Sequence, residues 1–587
     1  MRAHTKSFIA TLITVAAASL STAGDSQSAR FLAESHAAMA KMMAAMDARP
    51  TGDVDADFAA MMIAHHIGAI EMAQAQLRAG RNEPLRRLAQ EIIGTQQQEI
   101  EVMRLALTQR ARPAAAAHDG ASGQGRDANE ATGASQANPV SHRDRVYAAE
   151  QFSNTVSVTD PADNRLLGVI RLGDPMPGNL SPLYRGQLLV HGMGSSPDDR
   201  TLAVVSVGSN SVTFIDTATN AVKHVTYVGR SPHEAFFTPD GKEVWVTVRG
   251  ESYVAVLDGT TYEERARIAV PSGPGMQIFS PDGKYGYICS SFTPETVVVS
   301  VADHQIVGRV RQESAFCPNI AATSDGRQVW FTLKDIGKVN VFEGRPPFAL
   351  LKTIDAGPIT NHVNFANTTR GGFAYVTVGG LNEVQVFRTD DFSKVATVPV
   401  GKLPHGVWPS GDGSRMYVGL ENEDELVAID TLTQRVIASI PIGQAPQAVI
   451  YVPNAVPDGA GTENLHPLDI AGQTVHLTLA PPGRPSGSPT SVSLFDQGLT
   501  QVLQASVTGL EPKRPYILAL SDSPDGRGAL EPLAAFTTNP AGAAIVNALG
   551  PIRQIVQGES RVQRRYLVVL SGTADEHGAP VQIQVQK

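Results

Sequence analysis

The sequence predicts a multidomain protein with a small all-α helical bundle, an all-β seven-bladed propeller and a small β-sandwich, in that order. Three observations support this fold class: helical spacing of Met and His near the start, a repeat of about 40 residues in the middle, and short alternating apolar runs at the end. The length of 587 residues is too great for one hydrophobic core, so several domains are expected.

Residues 1–23 have the composition of a secretory signal peptide. A basic start with Arg2 and Lys6 precedes an apolar run over residues 8–20 and the small residues 21–23. The run is too short to span a bilayer, which needs about 20 apolar residues, and no later segment reaches that length. We therefore expect a periplasmic or secreted protein with no membrane span after signal removal. The alternative is an uncleaved membrane anchor.

Charge and cysteine content exclude two classes of protein. The chain has 48 Lys and Arg against 57 Asp and Glu, a formal net charge of −9, so no basic field would attract a nucleic acid. It has only two cysteines, Cys289 and Cys317, and is therefore no disulfide scaffold. The sequence leaves open whether these two pair.

Residues 27–110 have the periodicity of a helical bundle. Good helix formers fill the first part, where four methionines at three- and four-residue steps form one stripe: Met39, Met42, Met43 and Met46. A second helix is predicted from about Val54 to Ala79, ending at Gly80. A third begins near Pro84 and continues to about residue 109.

The second predicted helix has two adjacent histidines with a methionine one turn before each. Met61 precedes His65 by four residues, Met62 precedes His66 by four, and Met72 follows His65 by seven. Thioether and imidazole together suit a soft metal ion, Cu(I) above all. The alternative is that these side chains only fill a core, a use to which Met is well suited.

The spaced pattern that includes Asp57-Phe58, Met61-Met62, His65-His66 and Gly68-Ala69-Ile70, and extends to Met103, resembles the domain of unknown function 305. That family forms ferritin-like helical bundles, and some members bind copper in the bacterial envelope. Family members usually have Pro before the His pair, where this chain has Ala64. The resemblance and the spacing together predict these copper ligands: His65, His66, Met61, Met62, Met72, Met39, Met43, Met46 and Met103.

Residues 111–141 are rich in Ala, Gly, Ser and Asp and have almost no large apolar side chains, which predicts a flexible linker. From 142 to 453 the sequence repeats. Each unit has an apolar run, a turn with an acidic residue, and alternating apolar runs such as Val244-Trp245-Val246-Thr247. A unit of about 40 residues with four strands and tight turns is typical of a propeller blade.

Counting the units predicts seven blades. Six complete units extend from Leu188 to Ile442, Arg145 to Leu172 supplies three more strands, and Gln447 to Val452 supplies the missing first strand. Sharing this blade between both ends closes the ring without a free sheet edge. Runs such as Met416-Tyr417-Val418-Gly419 resemble the YVTN-type propellers of exported and surface-layer proteins, a resemblance that says little about function.

Histidine recurs at one position of the repeat, seven residues before the turn acid. First strands of a propeller line the central channel, so these side chains should meet near one mouth and hold copper or another late transition metal, or orient an anionic ligand. Alternatively, they only hydrogen-bond to backbone. The residues are His191, His233, His362 and His405.

Residues 454–467 form a second linker rich in Pro, Gly and Asn, and residues 468–587 contain eight short alternating runs that predict the β-sandwich. No catalytic spacing is found there, so an interaction or stabilising role is expected.

Three functions remain open from the sequence. The first is an exported copper-binding protein for metal capture, storage or delivery, whose propeller is a second metal site or a docking platform for another envelope protein. The second is an enzyme in the propeller channel, either a copper-dependent oxidoreductase or a lactonase-like hydrolase. The third is a surface or adhesion scaffold without a metal. The sequence predicts no catalytic residue and no cofactor besides copper.

Overall fold

The computed structural model describes residues 28–47, 51–80, 139–173, 188–469, 473–483, 490–496, 501–558, 564–573 and 576–586, with the single helical positions 89, 92, 96, 100 and 103. The predicted signal peptide, most of the first linker and most of the third predicted helix lie outside these residues. The chain divides into two compact units, a helical N-terminal unit and a larger unit with the propeller and the C-terminal sheet.

The helical unit contains α1 (residues 28–46) and α2 (Val54–Ala79). The Asp53 side chain caps α2 by accepting hydrogen bonds from the backbone N–H groups of Asp55 and Ala56. Ion pairs Glu34–Arg78 and Lys41–Glu71 join the two helices in antiparallel order. None of the described helices has the length and hydropathy needed to cross a bilayer. The ferritin-like character stays an expectation.

The second unit begins with three strands, β1 (Arg145–Glu150), β2 (Thr155–Asp160) and β3 (Arg165–Arg171). Six four-stranded antiparallel blades follow, each with its strands in chain order. Their strands are β4 (Val190–Ser195), β5 (Thr201–Ser206), β6 (Ser211–Asp216) and β7 (Val222–Tyr227); β8 (Pro232–Phe237), β9 (Glu243–Val248), β10 (Tyr253–Asp258) and β11 (Glu264–Ala269); β12 (Pro274–Phe279), β13 (Tyr285–Ser290), β14 (Glu295–Ser300) and β15 (Ile306–Arg311); β16 (Ile320–Ala322), β17 (Gln328–Leu333), β18 (Lys338–Glu343) and β19 (Leu350–Asp355); β20 (Thr360–Thr368), β21 (Gly371–Val378), β22 (Glu383–Arg388) and β23 (Lys394–Pro399); and β24 (Pro404–Pro409), β25 (Arg415–Leu420), β26 (Glu425–Asp430) and β27 (Arg435–Pro441).

The last propeller strand, β28 (Pro446–Val452), pairs with β1 and completes a seventh blade from both ends of the region. The seven-bladed prediction is therefore confirmed. The first strands β4, β8, β12, β16, β20, β24 and β28 contact one another in sequence around the channel. This ring brings the start of every blade to one mouth.

Large aromatic side chains fill the space between blades. They lie in the second strand of six blades, at the third position in five of these strands and at the fifth position in β21, and each is fully buried. Trp245 meets Phe279 of the next blade edge to face, with ring centroids 5.0 Å apart. The side chains of this set are Tyr147, Trp245, Tyr287, Trp330, Tyr375 and Tyr417.

The predicted turn acids form the turns between first and second strands. The Asp240 carboxylate accepts hydrogen bonds from the Thr238 hydroxyl and the Lys242 backbone N–H, and Gly241 has the left-handed backbone that completes the turn. These local bonds explain why an acid and a glycine recur there.

The described residues of the C-terminal region form eight strands and one short helix: β29 (Thr474–Ala480), β30 (Thr490–Asp496), β31 (Gln501–Val507), β32 (Pro515–Ser521), β33 (Leu530–Thr537), β34 (Ala544–Gly550), α3 (Ile552–Val556), β35 (Tyr566–Gly572) and β36 (His577–Gln584). They form one continuous antiparallel sheet in the order β33-β32-β35-β36-β29-β30-β31-β34, and the end strands β33 and β34 contact each other. The strands surround a large core that includes Leu494, Leu503 and Leu518, and a smaller cluster of Ile517, Ala519, Val568 and Leu570 lies apart from it. The two-sheet sandwich is therefore not confirmed.

The C-terminal sheet packs on the channel mouth where the blades begin. Phe495 stacks on Phe152 of the propeller with ring centroids 4.5 Å apart. Asn422 donates a hydrogen bond to the Ser491 hydroxyl. These contacts fix the sheet over the mouth.

Candidate functional site

The repeat positions all four channel histidines in the same way. His191, His233 and His405 are the second residue of their first strand and His362 is the third. In each case the strand register shifts across the histidine, so the histidine has no partner in the β-ladder. A register shift of this kind is a β-bulge, which changes the direction in which the side chain points. The sequence pattern thus brings four imidazoles to one mouth.

The loop before each of these strands is fixed by the preceding blade. The residue before the strand has a left-handed backbone at Leu189, Ser231 and Leu403, among others. Its backbone N–H donates to an amide oxygen of the preceding blade, as from Ser231 to Asn210 and from Leu403 to Asn382. The histidines therefore sit on a rigid frame.

One group at this mouth is formed by His191, His233 and Glu234, whose side chains are 12%, 6% and 2% exposed. Glu234 Oε1 lies 4.0 Å from His191 Nδ1 and 3.7 Å from His233 Nδ1, and the three ligand atoms lie within 4.8 Å of one another. All three atoms are buried without a hydrogen-bond partner. Two metal–ligand bonds of about 2.1 Å place their donor atoms about 3.4 Å apart at a tetrahedral angle. A small closure of this group would therefore fit a metal ion.

Burial sets the protonation of the group. It lowers the pKa of His191 to about 3 and the pKa of His233 well below its usual value, and it raises the pKa of Glu234 well above its usual value. The imidazoles are therefore neutral at physiological pH, which is the form that ligates metals. A metal ion would supply the positive charge that Glu234 needs in order to ionise.

The other two histidines form a separate arrangement. His405 Nδ1 lies 2.9 Å from Glu421 Oε2, and the Gln504 side chain of β31 donates to the second oxygen of Glu421. Burial alone would raise the pKa of Glu421, but the charge and hydrogen bond of His405 hold it at about 2. The His362 ring lies against His405, with centroids 4.8 Å apart. His405 therefore already has a partner.

The four rings nevertheless form one continuous row. The centroids of His233 and His191 are 4.2 Å apart and those of His191 and His405 are 6.5 Å apart. A ligand at the mouth would meet imidazoles from both arrangements.

A second group of potential metal ligands lies outside the channel and consists of His142, Asp160 and Asp163. His142 Nδ1 lies 2.8 Å from Asp160 Oδ2, and the His142 side chain is mostly exposed. Asp160 alone therefore satisfies this imidazole, and the group needs no metal.

A cavity of about 640 Å³ lies beside the imidazoles, within the volume range of ligand sites. The propeller forms one wall of the cavity, which includes the cations Arg249 and Lys334 and the Phe316 ring. The C-terminal sheet and its loops supply the opposite wall, at Gln504, Thr537, Asn539, Pro540, Ala543, Ala544, Ile545 and Asn547. The cavity is thus a compartment between the two domains of this unit.

The predicted ligands on α2 fall on different faces of that helix. His65 is exposed, as is Met61 one turn before it, whereas His66 is buried and Met62 beside it is half-buried. The rings of His65 and His66 are 5.7 Å apart, because successive helical residues point about 100° apart. Of the remaining candidates, Met39 and Met43 are exposed and Met46, Met72 and Met103 are half-buried. The Cu(I) ligand set remains a prediction.

Four residues at this mouth were not predicted from the sequence: Glu234, Arg249, Lys334 and Glu421. The last three share one repeat position, the residue directly after each second strand, which Gln151 and Val207 occupy in other blades. An antiparallel second strand ends where the first begins. Aligning this position would have revealed a second set of side chains at the same mouth.

The fold and the site define a class: a helical module followed by a seven-bladed propeller with an imidazole-rich channel mouth under a C-terminal sheet. Residues 10–107 match the family described as Domain of unknown function (DUF305). No curated protein matches the chain.

Two solved structures are similar to the chain over about half its length. Kuenenia stuttgartiensis hydrazine synthase is 20% identical with a TM-score of 0.41, over 48% of this chain and 92% of that one. A functionally unknown protein from Desulfotomaculum acetoxidans is 14% identical with a TM-score of 0.44, over 52% of this chain and 98% of that one.

Proposed function

We propose that this is an exported metal-binding protein with a Cu(I) site in the helical module and a divalent late-metal centre in the propeller channel. The observation that supports the channel centre best is the group of three buried donor atoms of His191, His233 and Glu234, which have no hydrogen-bond partner. Burying unpaired polar atoms is costly, and a bound ion would remove that cost.

The donor set favours a divalent ion at the channel. Two imidazoles and one carboxylate are the ligands of Zn²⁺ and Cu²⁺ sites, whereas Cu(I) prefers sulfur. Because the ligand atoms lie in the channel under the C-terminal sheet, the ion would be kept from bulk water. Copper is the metal that we propose for both sites.

The helical module is proposed to capture Cu(I) at its surface. The pair of Met61 and His65, one turn apart on α2, offers an exposed thioether and an exposed imidazole. Export is supported by the signal-like composition of residues 1–23. Capture outside the cytoplasm and retention in the channel together suit metal storage or delivery.

The experiment is metal analysis of the full chain after loading with copper and removal of loose ions. Changing His191 and His233 to Ala is expected to remove one equivalent, and changing His65 and His66 to Ala is expected to remove another. The control is His224→Ala, an exposed histidine of β7. Equal copper content in all four proteins would contradict the proposal.

A second candidate is an enzyme in the channel. The 640 Å³ cavity beside the imidazoles favours it, because a stored ion alone needs no such space. The copper-loaded protein would then show oxidase or lactonase activity that the His191 and His233 double variant lacks. Activity that persists in that variant would contradict this candidate.

A further inference from the structure

Arg249 and Lys334 direct two positive charges to the channel cavity from different blades. Arg249 follows β9 and Lys334 follows β17, and both line the cavity. Phe316 lies between them: the Arg249 guanidinium carbon is 5.4 Å and the Lys334 ammonium nitrogen 5.9 Å from its ring centroid. One aromatic ring thus holds both cations at the same wall.

Neither of these two cations is paired with a described carboxylate, in contrast to other Lys and Arg side chains of the propeller. Within the described part of the chain, no carboxylate oxygen lies within 4.0 Å of either charged group, and Arg249 Nε is buried without a hydrogen-bond partner. Lys338, four residues beyond Lys334, lies 2.6 Å from Glu313. A buried guanidinium without a counter-ion is costly unless a ligand supplies the anion.

The nearest acids do not fill this role. Glu421 interacts with Lys334 through space, but His405 and Gln504 already occupy its two oxygens. Asp335 also lines the cavity and interacts with Lys334, but its carboxylate oxygens lie more than 4.0 Å from the Arg249 guanidinium nitrogens. Arg249 therefore faces the cavity with its charge unmatched.

The other residues that line the cavity indicate the chemistry of the uncharged part of a ligand. Apolar surface comes from Phe152, Val207, Phe316, Pro318 and Ile359. The polar groups of the opposite wall are mainly neutral amides, including those of Asn539 and Asn547. Apolar surface with a few convergent polar groups is usual for organic ligands.

We propose that this cavity binds a small organic carboxylate, whose charged end pairs with Arg249 and Lys334 and whose apolar body packs on Phe316. Arginine binds carboxylates in bidentate fashion. The neighbouring imidazoles then face the bound molecule. The inference rests on the cations and the cavity and holds whether or not a metal is bound.

The test is calorimetric titration of the full chain, both chelator-treated and copper-loaded, with benzoate as the probe. Benzamide serves as a neutral probe of the same shape and inorganic phosphate as an anion without an apolar body. We expect benzoate to bind in both preparations and more tightly than either comparison probe. Binding of benzoate should weaken about tenfold or more in Arg249→Gln and in Lys334→Gln.

Two variants complete the design. Arg249→Lys keeps the charge and should retain part of the benzoate affinity, and Arg267→Gln alters a surface arginine that packs on Tyr253 and should change nothing. Unchanged benzoate binding in folded Arg249→Gln would overturn the proposal, as would equal binding of benzamide or phosphate, or no benzoate binding at all. Metal content is measured separately, so failure of the copper site is distinguishable.

Discussion

Glu150 ends β1 and is completely buried at the junction that closes the propeller. Thr155 Oγ1 donates to it at 2.5 Å and the Ser157 backbone N–H donates at 3.1 Å. Burial outweighs these hydrogen bonds and raises the pKa of Glu150 from 4.5 to about 7. A carboxyl with a raised pKa favours the folded state when it is protonated, and that contribution is lost as the pH rises.

The propeller should therefore become less stable as the pH rises from about 4.5 to about 7. The loss from this group is about 3 kcal/mol, at about 1.4 kcal/mol per pKa unit. Glu150→Gln should flatten this dependence and raise the thermal midpoint relative to wild type at pH 8. The control Glu263→Gln, at an exposed site, should behave as wild type. A steeper pH dependence in Glu150→Gln would refute the assignment.

Gly68 of α2 allows the close approach of α1. A Cβ built at this position would lie 2.6 Å from Met42 Cβ and 2.9 Å from Met42 Sδ. Gly68→Ala gains about 1 kcal/mol of helix propensity but forces the two helices apart, and overpacking typically costs about 1–3 kcal/mol.

We expect Gly68→Ala to lower the stability of the helical unit, as measured by urea unfolding followed by helical circular dichroism. Ala60→Gly, at an exposed position of the same helix, measures the propensity effect alone. A more stable Gly68→Ala protein would show that the helices do not meet at this glycine.

At the scale of elements, the fourth complete blade differs from the others. Its first strand β16 has only three residues, Ile320–Ala322, and the segment before it is joined to β13 by a disulfide between Cys289 and Cys317. The pairing that the sequence left open is thus present. Cys317 lies between the cavity residues Phe316 and Pro318. The disulfide therefore anchors the wall on which Arg249 and Lys334 rest.

Changing Cys289 and Cys317 to Ser should destabilise the propeller by about 3 kcal/mol, because the bond closes a loop of 28 residues. It should also weaken benzoate binding, since Phe316 loses its fixed position. Thermal unfolding and calorimetry of the double variant check both effects. An unchanged thermal midpoint would contradict a stabilising role for the bond.

The repeat explains why the blades were predictable and the cavity was not. Periodic turns such as Pro239-Asp240-Gly241 are local and visible in one sequence, and they identify the first strands and their histidines. Glu234 and Arg249 could not be recognised as site residues from the sequence, because only the packing of neighbouring blades brings them close to His191. The position of Gln504 depends on how the C-terminal sheet packs, which strand periodicity does not encode.

In the whole propeller unit, the C-terminal sheet covers the propeller mouth and supplies one wall of the cavity there. Its Gln504 binds Glu421, its Phe495 packs on Phe152, and its loop residues 539–545 line the cavity. Three features therefore meet at this mouth: the buried imidazole and carboxylate atoms of His191, His233 and Glu234, the two cations Arg249 and Lys334, and the covering C-terminal sheet.

The most direct test of the channel centre is anomalous diffraction at the copper edge from crystals of the copper-loaded full chain. We predict a peak among His191 Nδ1, His233 Nδ1 and Glu234 Oε1, at about 2 Å from each. Copper peaks elsewhere in the chain with none at these three atoms would contradict the account.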